Sequence, residues 1–229
     1  MIHQNISELK KELGSVKLVV VSKYRSMEEL NEVYASGHRL MGENRVQELR
    51  NKFEEMPKDV EWHMIGHLQK NKVKYIAPFI AMIHSVDSES LLKEINKQAA
   101  KHERVIPVLL QVHVAQEETK FGLDSEELSQ LLNSDIWQTL NNIEVRGLMA
   151  MATNTKDMSQ VSKEFSEVKQ MQDRLQLMDL PKQFRLEELS MGMSSDYKTA
   201  IDAGSTMVRI GSKVFEKNIS FRANDSNNY

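Results

Sequence analysis

Short apolar runs alternate along this chain with longer segments in which apolar residues recur every three or four positions. The short runs are nearly continuous in Val, Ile, Leu and Met, a pattern typical of parallel strands that are covered on both faces. They predict eight strands, at residues 18–22, 38–41, 61–65, 80–86, 105–114, 144–150, 185–190 and 207–210. The longer segments predict helices at residues 27–36, 46–55, 68–76, 88–102, 125–132, 157–178 and 195–203, and residues 1–15 predict one more amphipathic helix.

The order of these elements indicates the fold class. Each predicted strand is followed by a helix or a helical turn, which favours an α/β protein with a single (β/α)8 TIM barrel and an extra N-terminal helix over residues 1–217. An open doubly wound sheet is the alternative architecture. Residues 218–229 lose the hydrophobic periodicity and are predicted to be a disordered tail.

Composition narrows the classes of function. The 229 residues include no Cys, which excludes disulfides, thiolate chemistry and Cys-based metal sites. The formal net charge of -3 gives no reason to expect a nucleic acid or an anionic membrane as partner, and no apolar run is long enough to span a bilayer. The N-terminus has no signal-peptide h-region, and no apolar stretch is left over once the barrel is assembled. We therefore expect a cytoplasmic monomer.

Glycines and serines mark the ends of the last two predicted strands. The segment SMGMSSD places Gly192 before a helix predicted to be capped by Ser194 or Ser195, and RIGS places Gly211 and Ser212 before a final helical turn. Small residues let backbone N–H groups approach an anion, and the loops after strands seven and eight are the usual phosphate site of such barrels. These segments predict a phosphate-binding site, the alternative being that they form only tight turns.

Lys23 follows VVVS, the most apolar stretch of the chain. At the tip of the first strand its amine would lie at the barrel mouth above an apolar floor, where desolvation makes an amine more nucleophilic. For a lysine considered alone, a solvated surface charge is the alternative. An amine on one side of the barrel mouth could bind an aldehyde, and a phosphate site on the other side could hold a phosphate. Pyridoxal 5′-phosphate (PLP) carries both groups.

The chain also resembles a known family in segments that run, in order, from about residue 18 to residue 215. The segments are VSKY, GENRVQE, WHMIGHLQKNK, HSVDS, KFGL, GLMAM, LSMGMSSD and STMVRIGSKVF. They are similar to those of the PLP homeostasis protein family. This resemblance implies a barrel like the N-terminal domain of alanine racemase and a Schiff base between PLP and Lys23.

The resemblance also implies which residues surround the cofactor. Arg209 would lie beside the pyridine nitrogen and Asn44 near the phenolic side of the ring, while the phosphate would be held mostly by backbone N–H groups and hydroxyls. Tyr24 departs from the family pattern, in which a small Thr is common, and His113 stands where Asn is usual. The predicted PLP-binding residues are Lys23, Asn44, His84, Ser190, Met191, Gly192, Ser194, Arg209, Gly211 and Ser212.

These residues favour a PLP carrier over an enzyme. A guanidinium facing the pyridine nitrogen keeps that nitrogen unprotonated, and such a ring is a poor electron sink for carbanion chemistry. We therefore expect a protein that buffers PLP and hands it to PLP-dependent client enzymes, with no catalytic residue of its own. The alternatives are a small fold-III-type racemase that uses Lys23 with one of His63, His67 or His84, and a PLP-free barrel acting on a sugar phosphate.

Two other patterns support no further site. His63 and His67 are four residues apart, but Gly66 lies between them and His63 ends a predicted strand, so no metal site is expected. The segment QKNKVKY carries three lysines in a basic stripe, which we interpret as a solvated helix start and not as a nucleic-acid contact.

Overall fold

Eight parallel strands close into a barrel in the computed structural model, which describes residues 1–117 and 121–216. The strands pair in chain order, β1 with β2 through to β8, and β8 pairs again with β1. This closed barrel confirms the predicted fold class and excludes the open sheet, while the predicted tail at residues 218–229 lies outside the described residues. The strands are β1 Lys17–Val21, β2 Leu40–Glu43, β3 Glu61–Met64, β4 Met82–Val86, β5 Ile106–Gln111, β6 Ile143–Met149, β7 Phe184–Ser190 and β8 Met207–Ile210.

Helices connect the strands and cover the outside of the barrel. They are α1 Ile2–Leu13, α2 Met27–Ala35, α3 Val46–Glu55, α4 Glu89–Lys101, α5 Ser125–Leu132, α6 Met158–Gln176, α7 Tyr197–Asp202 and α8 Ser212–Phe215, with 3₁₀ helices at Lys70–Tyr75 and Asp135–Gln138. In the described part of the chain, no helix is both long enough and apolar enough to cross a bilayer.

Two predicted helices differ from the structure. The segment predicted as an α-helix at residues 68–76 is the 3₁₀ helix Lys70–Tyr75, in which Val73 is the one buried side chain. A single inward residue does not make the apolar stripe that stabilises an α-helix, and the connection closes with short turns such as Ile76 N–H to the Val73 carbonyl at 3.0 Å. The helix predicted at residues 195–203 is shorter and begins at Tyr197.

Two apolar layers hold the barrel together. The larger layer lies between the outer faces of the strands and the helices, and it buries Trp62 and Phe165 among many aliphatic side chains. The smaller layer fills the inside of the barrel with Val19, Ile65, Met82, Leu109, Met149 and Met207. Space inside is tight, because a Cβ added at Gly42 would lie 2.7 Å from Val19 Cγ1. The polar residues described next lie in the same interior.

Candidate functional site

A chain of hydrogen bonds crosses the inside of the barrel near the C-terminal ends of the strands. Nη1 of Arg209 donates to the Ser190 hydroxyl at 2.6 Å and to the Ser190 carbonyl at 2.8 Å, and Nη2 donates to the Ala150 carbonyl at 3.0 Å. The Ser190 hydroxyl lies 3.1 Å from His84 Nδ1, and His84 Nε2 lies 2.8 Å from His63 Nδ1. All these side chains are buried, so the chain is a fixed polar element in an otherwise apolar interior.

The direction of this chain follows from the chemistry of its members. A guanidinium only donates hydrogen bonds, so the Ser190 oxygen accepts from Arg209. Among the described residues His84 Nδ1 is the one acceptor within reach of the Ser190 hydroxyl hydrogen, so we assign the hydroxyl as donor to His84. The proton of His84 is therefore on Nε2, which donates to His63 Nδ1. Burial lowers the pKa of His63 to about 3, with a smaller contribution from the charge on Lys17. Burial, and then the charges of His63 and Arg209, hold the pKa of His84 well below its usual value, so both rings are neutral at pH 7.

Arg209 leaves two of its five N–H hydrogens without a partner among the described residues, one on Nε and one on Nη2. Its three hydrogen bonds come from the two terminal nitrogens and end on neutral oxygens, and within residues 1–117 and 121–216 the Nε–H group has no acceptor. Burial lowers its pKa to about 10 while the charge of Asp196 acts in the opposite direction, so the guanidinium is cationic at neutral pH. The site therefore offers a fixed positive charge and an unused Nε–H, which suit an anionic ligand with a heterocyclic nitrogen acceptor.

Lys23 lies at the tip of β1, on the same rim. The inward positions Val19 and Val21 alternate along the strand, and the next inward position is Lys23. The chain then turns, because Arg25 N–H donates to the Ser22 carbonyl at 3.0 Å. The lysine is half-buried, and the two valines form the apolar floor expected beneath it.

A buried ion pair fixes the chain on both sides of this turn. The Glu43 carboxylate accepts from the Ser22 hydroxyl at 2.7 Å, from Asn44 N–H at 2.6 Å and from Arg45 N–H at 3.2 Å. Lys52 Nζ donates to the same carboxylate at 2.5 Å and to the Ser22 carbonyl at 2.8 Å. Glu43 is fully buried and the Lys52 side chain is 8% exposed. The pair thus links the ends of β1 and β2, next to Lys23 and Asn44.

Sequence reasoning missed this ion pair. In the sequence, Glu43 was noted only as part of the segment GENRVQE, and no role was predicted for Lys52. One signal was present, since Lys52 follows Leu49 by three residues and so falls on the buried face of α3. A lysine on the buried side of an amphipathic helix requires an anionic partner.

The loops after β7 and β8 meet at the adjoining part of the rim, since β8 pairs with β1. Gly211 N–H donates to the Ser194 hydroxyl at 3.3 Å, and the Gly192 carbonyl accepts from Arg209 N–H at 2.9 Å. A Cβ added at Gly211 would lie 3.3 Å from Val21 Cβ, which places this loop beside the end of β1. Ser212, the first residue of α8, is exposed.

Two details predicted for these loops are corrected by the structure. The N-cap position of α7 is Asp196 and not Ser194 or Ser195. The Asp196 side chain makes no capping hydrogen bond to the helix but accepts from Met193 N–H at 2.6 Å, and the serines lie in the turn before the helix. The Met191 N–H, predicted as a phosphate donor, donates to the Met207 carbonyl at 3.1 Å, and its side chain lies in the outer apolar layer. Met191 therefore has a structural role in this arrangement.

The structure thus divides the predicted residues into two groups. His84, Ser190 and Arg209 form the interior chain, while Lys23, Asn44, Ser194, Gly211 and Ser212 lie on the rim above it. Asn44 is held by a close backbone approach, since a Cβ added at Gly66 would lie 2.4 Å from the Asn44 carbonyl oxygen.

His63 and His67 do not act together. His63 belongs to the interior chain, whereas His67 Nδ1 lies 3.3 Å from Asp87 Oδ2 and its ring stacks on Phe121 with centroids 3.9 Å apart. Among the described residues, no cluster of three or more His, Asp or Glu side chains is arranged to hold a metal ion.

The fold and rim define a single barrel of the alanine racemase N-terminal type. The family model of the alanine racemase N-terminal domain matches residues 1–218. An alanine racemase from Bartonella henselae with covalently bound PLP superimposes with a TM-score of 0.72 at 16% identity, over 93% of this chain and 58% of that one. At this identity the likeness shows the fold alone.

Nearer relatives identify the particular family. A pyridoxal phosphate homeostasis protein from Aquifex aeolicus is 40% identical over 200 residues, which is 87% of this chain and 86% of the relative. The structure of PipY from Synechococcus elongatus with PLP bound has 34% identity and a TM-score of 0.84, and the match covers 94% of this chain and 100% of PipY. The chain belongs to the pyridoxal phosphate homeostasis protein family, which confirms the resemblance found in its motifs.

Proposed function

We propose that this protein binds PLP reversibly through Lys23 and serves PLP homeostasis as a carrier or buffer. The observation that carries the proposal is the half-buried Lys23 amine on the rim, above the interior chain in which the cationic Arg209 has an unused Nε–H. The names of the relatives and the PLP-bound PipY structure support the choice of ligand.

The residues present fit the chemistry of the cofactor. PLP, when bound, supplies an aldehyde that condenses with a primary amine and releases water. Lys23 would provide that amine, and Arg209 Nε–H would donate to the pyridine nitrogen. Ser194, Gly211 and Ser212 would hold the phosphate with hydroxyl and backbone N–H groups, while Asn44 would face the phenolic oxygen.

The remaining predicted residues would support these contacts. His84 and Ser190 orient Arg209 through the interior chain. Gly192 is in the positive-φ region at +92° and its carbonyl anchors the backbone of β8, so it shapes the loop that approaches the phosphate.

The interior chain argues against the alternative of a racemase with a histidine base. A general base works best with a pKa near the operating pH, whereas the pKa of His63 is about 3 and that of His84 is also strongly lowered by burial. Arg209 retains its own protons at neutral pH, so it leaves the pyridine nitrogen unprotonated and the ring a weak electron sink. These properties support a carrier without substantial turnover of amino acids.

The proposal extends to the setting of the protein. We place it in the cytoplasm as a monomer that transfers PLP to PLP-dependent client enzymes. Its exposed large apolar side chains, such as Tyr75, Val105, Phe121 and Leu177, are spread over separate elements, which supports a protein without a large permanent interface.

The test compares purified wild-type protein with Lys23→Ala and with Lys93→Ala, a change at an exposed lysine of α4. After incubation with PLP, wild type and Lys93→Ala should show a visible absorption band that borohydride bleaches, with the modified peptide containing residue 23. Lys23→Ala should show neither. A colourless wild type, or an unchanged band in Lys23→Ala, would contradict PLP attachment at this residue.

A second assay tests the absence of turnover. PLP-loaded protein is incubated with L-alanine, L-serine and L-glutamate, and racemisation, decarboxylation and transamination are followed. We expect rates far below those of dedicated PLP enzymes. Rates comparable to those enzymes, abolished by Lys23→Ala, would show that the protein is an enzyme.

A further inference from the structure

A separate basic cavity lies beside the barrel mouth, between α3 and the 3₁₀ helix Lys70–Tyr75. Its volume is about 350 Å³, and Arg45, Arg50 and Lys72 line it together with Asn44 and His67. Among the described residues that line it there is no Asp or Glu, although the whole chain carries a net charge of -3. Part of the predicted basic stripe thus contributes to a concave site.

An aromatic ring keeps two of these cations together. The Arg50 guanidinium lies 5.0 Å and the Lys72 amine 5.9 Å from the centroid of the Tyr75 ring. The nearest carboxylate to Arg50 is that of Glu54, 3.9 Å away and 68% exposed, a separation at which an exposed ion pair is weak. Arg45 Nη1 likewise lies 3.4 Å from Glu48 Oε1, in a pair whose arginine side chain is 59% exposed. Exposed pairs of this kind are weak, so both guanidinium groups can still bind a ligand.

Arg45 connects this cavity to Lys23. Its Nη2 donates to the Tyr24 hydroxyl at 3.1 Å, and the Tyr24 ring lies 4.8 Å from Lys23 Nζ. Tyr24 is 68% exposed and has a φ of +61°, a strained value for a bulky residue, so few contacts hold it in place. The guanidinium that lines the cavity is thus also the partner that keeps Tyr24 over the amine.

We propose that this cavity binds a small anion carrying phosphate groups, and that binding draws Arg45 away from Tyr24 and uncovers Lys23. Two guanidinium groups and an ammonium suit phosphate oxygens, which accept paired hydrogen bonds from arginine. The coupling to PLP exchange rests on the proposed function, whereas anion binding in the cavity does not.

Binding is tested with inorganic pyrophosphate as the probe, by calorimetric titration of PLP-loaded protein at constant ionic strength. Loading with PLP occupies the phosphate site at Ser194, Gly211 and Ser212, so the probe reports on the cavity. We expect Arg50→Gln and Lys72→Gln each to weaken binding about tenfold, with Lys101→Gln, an exposed lysine on α4, as the unchanged control. Inorganic phosphate and citrate, as further probes, distinguish phosphate groups from carboxylates.

The coupling is tested by the rate at which PLP moves to an added apo-enzyme. Pyrophosphate should accelerate transfer about fivefold or more in wild type and leave Arg50→Gln unaffected. Tyr24→Phe, which lacks the hydroxyl that accepts from Arg45, should transfer PLP quickly with or without the probe.

Different results would overturn different parts of this inference. Equal pyrophosphate binding by wild type and the cavity variants, or tighter binding of citrate, would refute the phosphate site. Probe binding without any change in PLP transfer would refute the coupling. If PLP does not attach to wild type, the proposed function fails. The cavity can still be tested without PLP: Lys23→Ala should bind pyrophosphate, and the double variant Lys23→Ala/Arg50→Gln should not.

Discussion

Acid should destabilise this protein before its carboxylates are protonated, because its interior histidines are buried in the neutral form. Burial lowers the pKa of His38 to about 4 and that of His63 to about 3, and it also lowers the pKa of His84. In the unfolded chain each of these imidazoles titrates near its ordinary pKa of 6.5. Below that pH the unfolded chain binds protons that the folded chain does not, so the free energy of unfolding falls as the pH falls.

The size of the effect follows from these values. Each group contributes a slope of about 1.4 kcal/mol per pH unit between its unfolded and folded pKa values. From pH 6.5 to pH 5, His38 and His63 should therefore each remove about 2 kcal/mol of stability, and His84 should act in the same direction. Carboxylates add little above pH 5, because in the unfolded chain they titrate at about pH 4. Glu12 and Asp59, whose pKa values are lowered in the folded state by hydrogen bonds to Lys198 and Arg39, lose their contribution only below that pH.

Urea unfolding at pH 7, 6 and 5 measures this loss, with His38→Gln and His3→Gln as a matched pair. His38 is buried and His3 is exposed. His38→Gln should reduce the pH dependence of the free energy of unfolding by about one proton, while His3→Gln should leave it unchanged. A free energy that is constant from pH 7 to pH 5, or an imidazole resonance of His63 that titrates near pH 6.5, would refute the reasoning.

Three further changes test the site. Lys52→Met leaves the fully buried Glu43 carboxylate without its cation, so it should lower the free energy of unfolding in urea by about 3–5 kcal/mol. In a Glu43→Gln background the same change should cost clearly less, and equal losses in both backgrounds would contradict a coupled pair. Gly66→Ala places a Cβ 2.4 Å from the Asn44 carbonyl oxygen, so PLP titration should show about tenfold weaker binding, and unchanged affinity would refute the positioning of Asn44. Ser190→Ala breaks the interior chain and should cost about 1–3 kcal/mol in urea, whereas a loss below about 0.5 kcal/mol would show that the chain does not stabilise the barrel.

The strands were the most predictable part of the fold because parallel barrel strands are apolar on both faces. Runs such as residues 18–22 and 207–210 are short, β-branched or methionine-rich and bounded by polar residues, and both are strands within one residue of the predicted ends. The type of helix at residues 68–76 was harder to predict, since a spacing of apolar residues that fits an α-helix also fits a 3₁₀ helix of one or two turns.

The site was predictable in its residue types but not in its hydrogen bonds. The role of Lys23 was predicted from its position after the first strand, since all C-terminal strand ends meet at one rim, whereas the role of Arg209 was implied by the family resemblance. The link between His84 and Ser190 joins residues 106 positions apart and depends on the inward register of β4 and β7, which local patterns do not specify. The same limit explains why the Glu43–Lys52 pair was missed.

Acid and the proposed binding of PLP change the same quantity, the free energy of unfolding, in opposite directions. A ligand that binds only the folded state adds about 2.7 kcal/mol of stability at a free concentration one hundred times its dissociation constant. This gain is similar to the loss of about 2 kcal/mol expected from one buried histidine at pH 5. PLP loading should therefore offset the acid loss from one histidine but not from His38, His63 and His84 together, so loaded protein should still unfold more easily at pH 5 than at pH 7. The neutral interior chain, which in the proposed function orients Arg209 for the ligand, thus also limits the pH range in which the protein is stable.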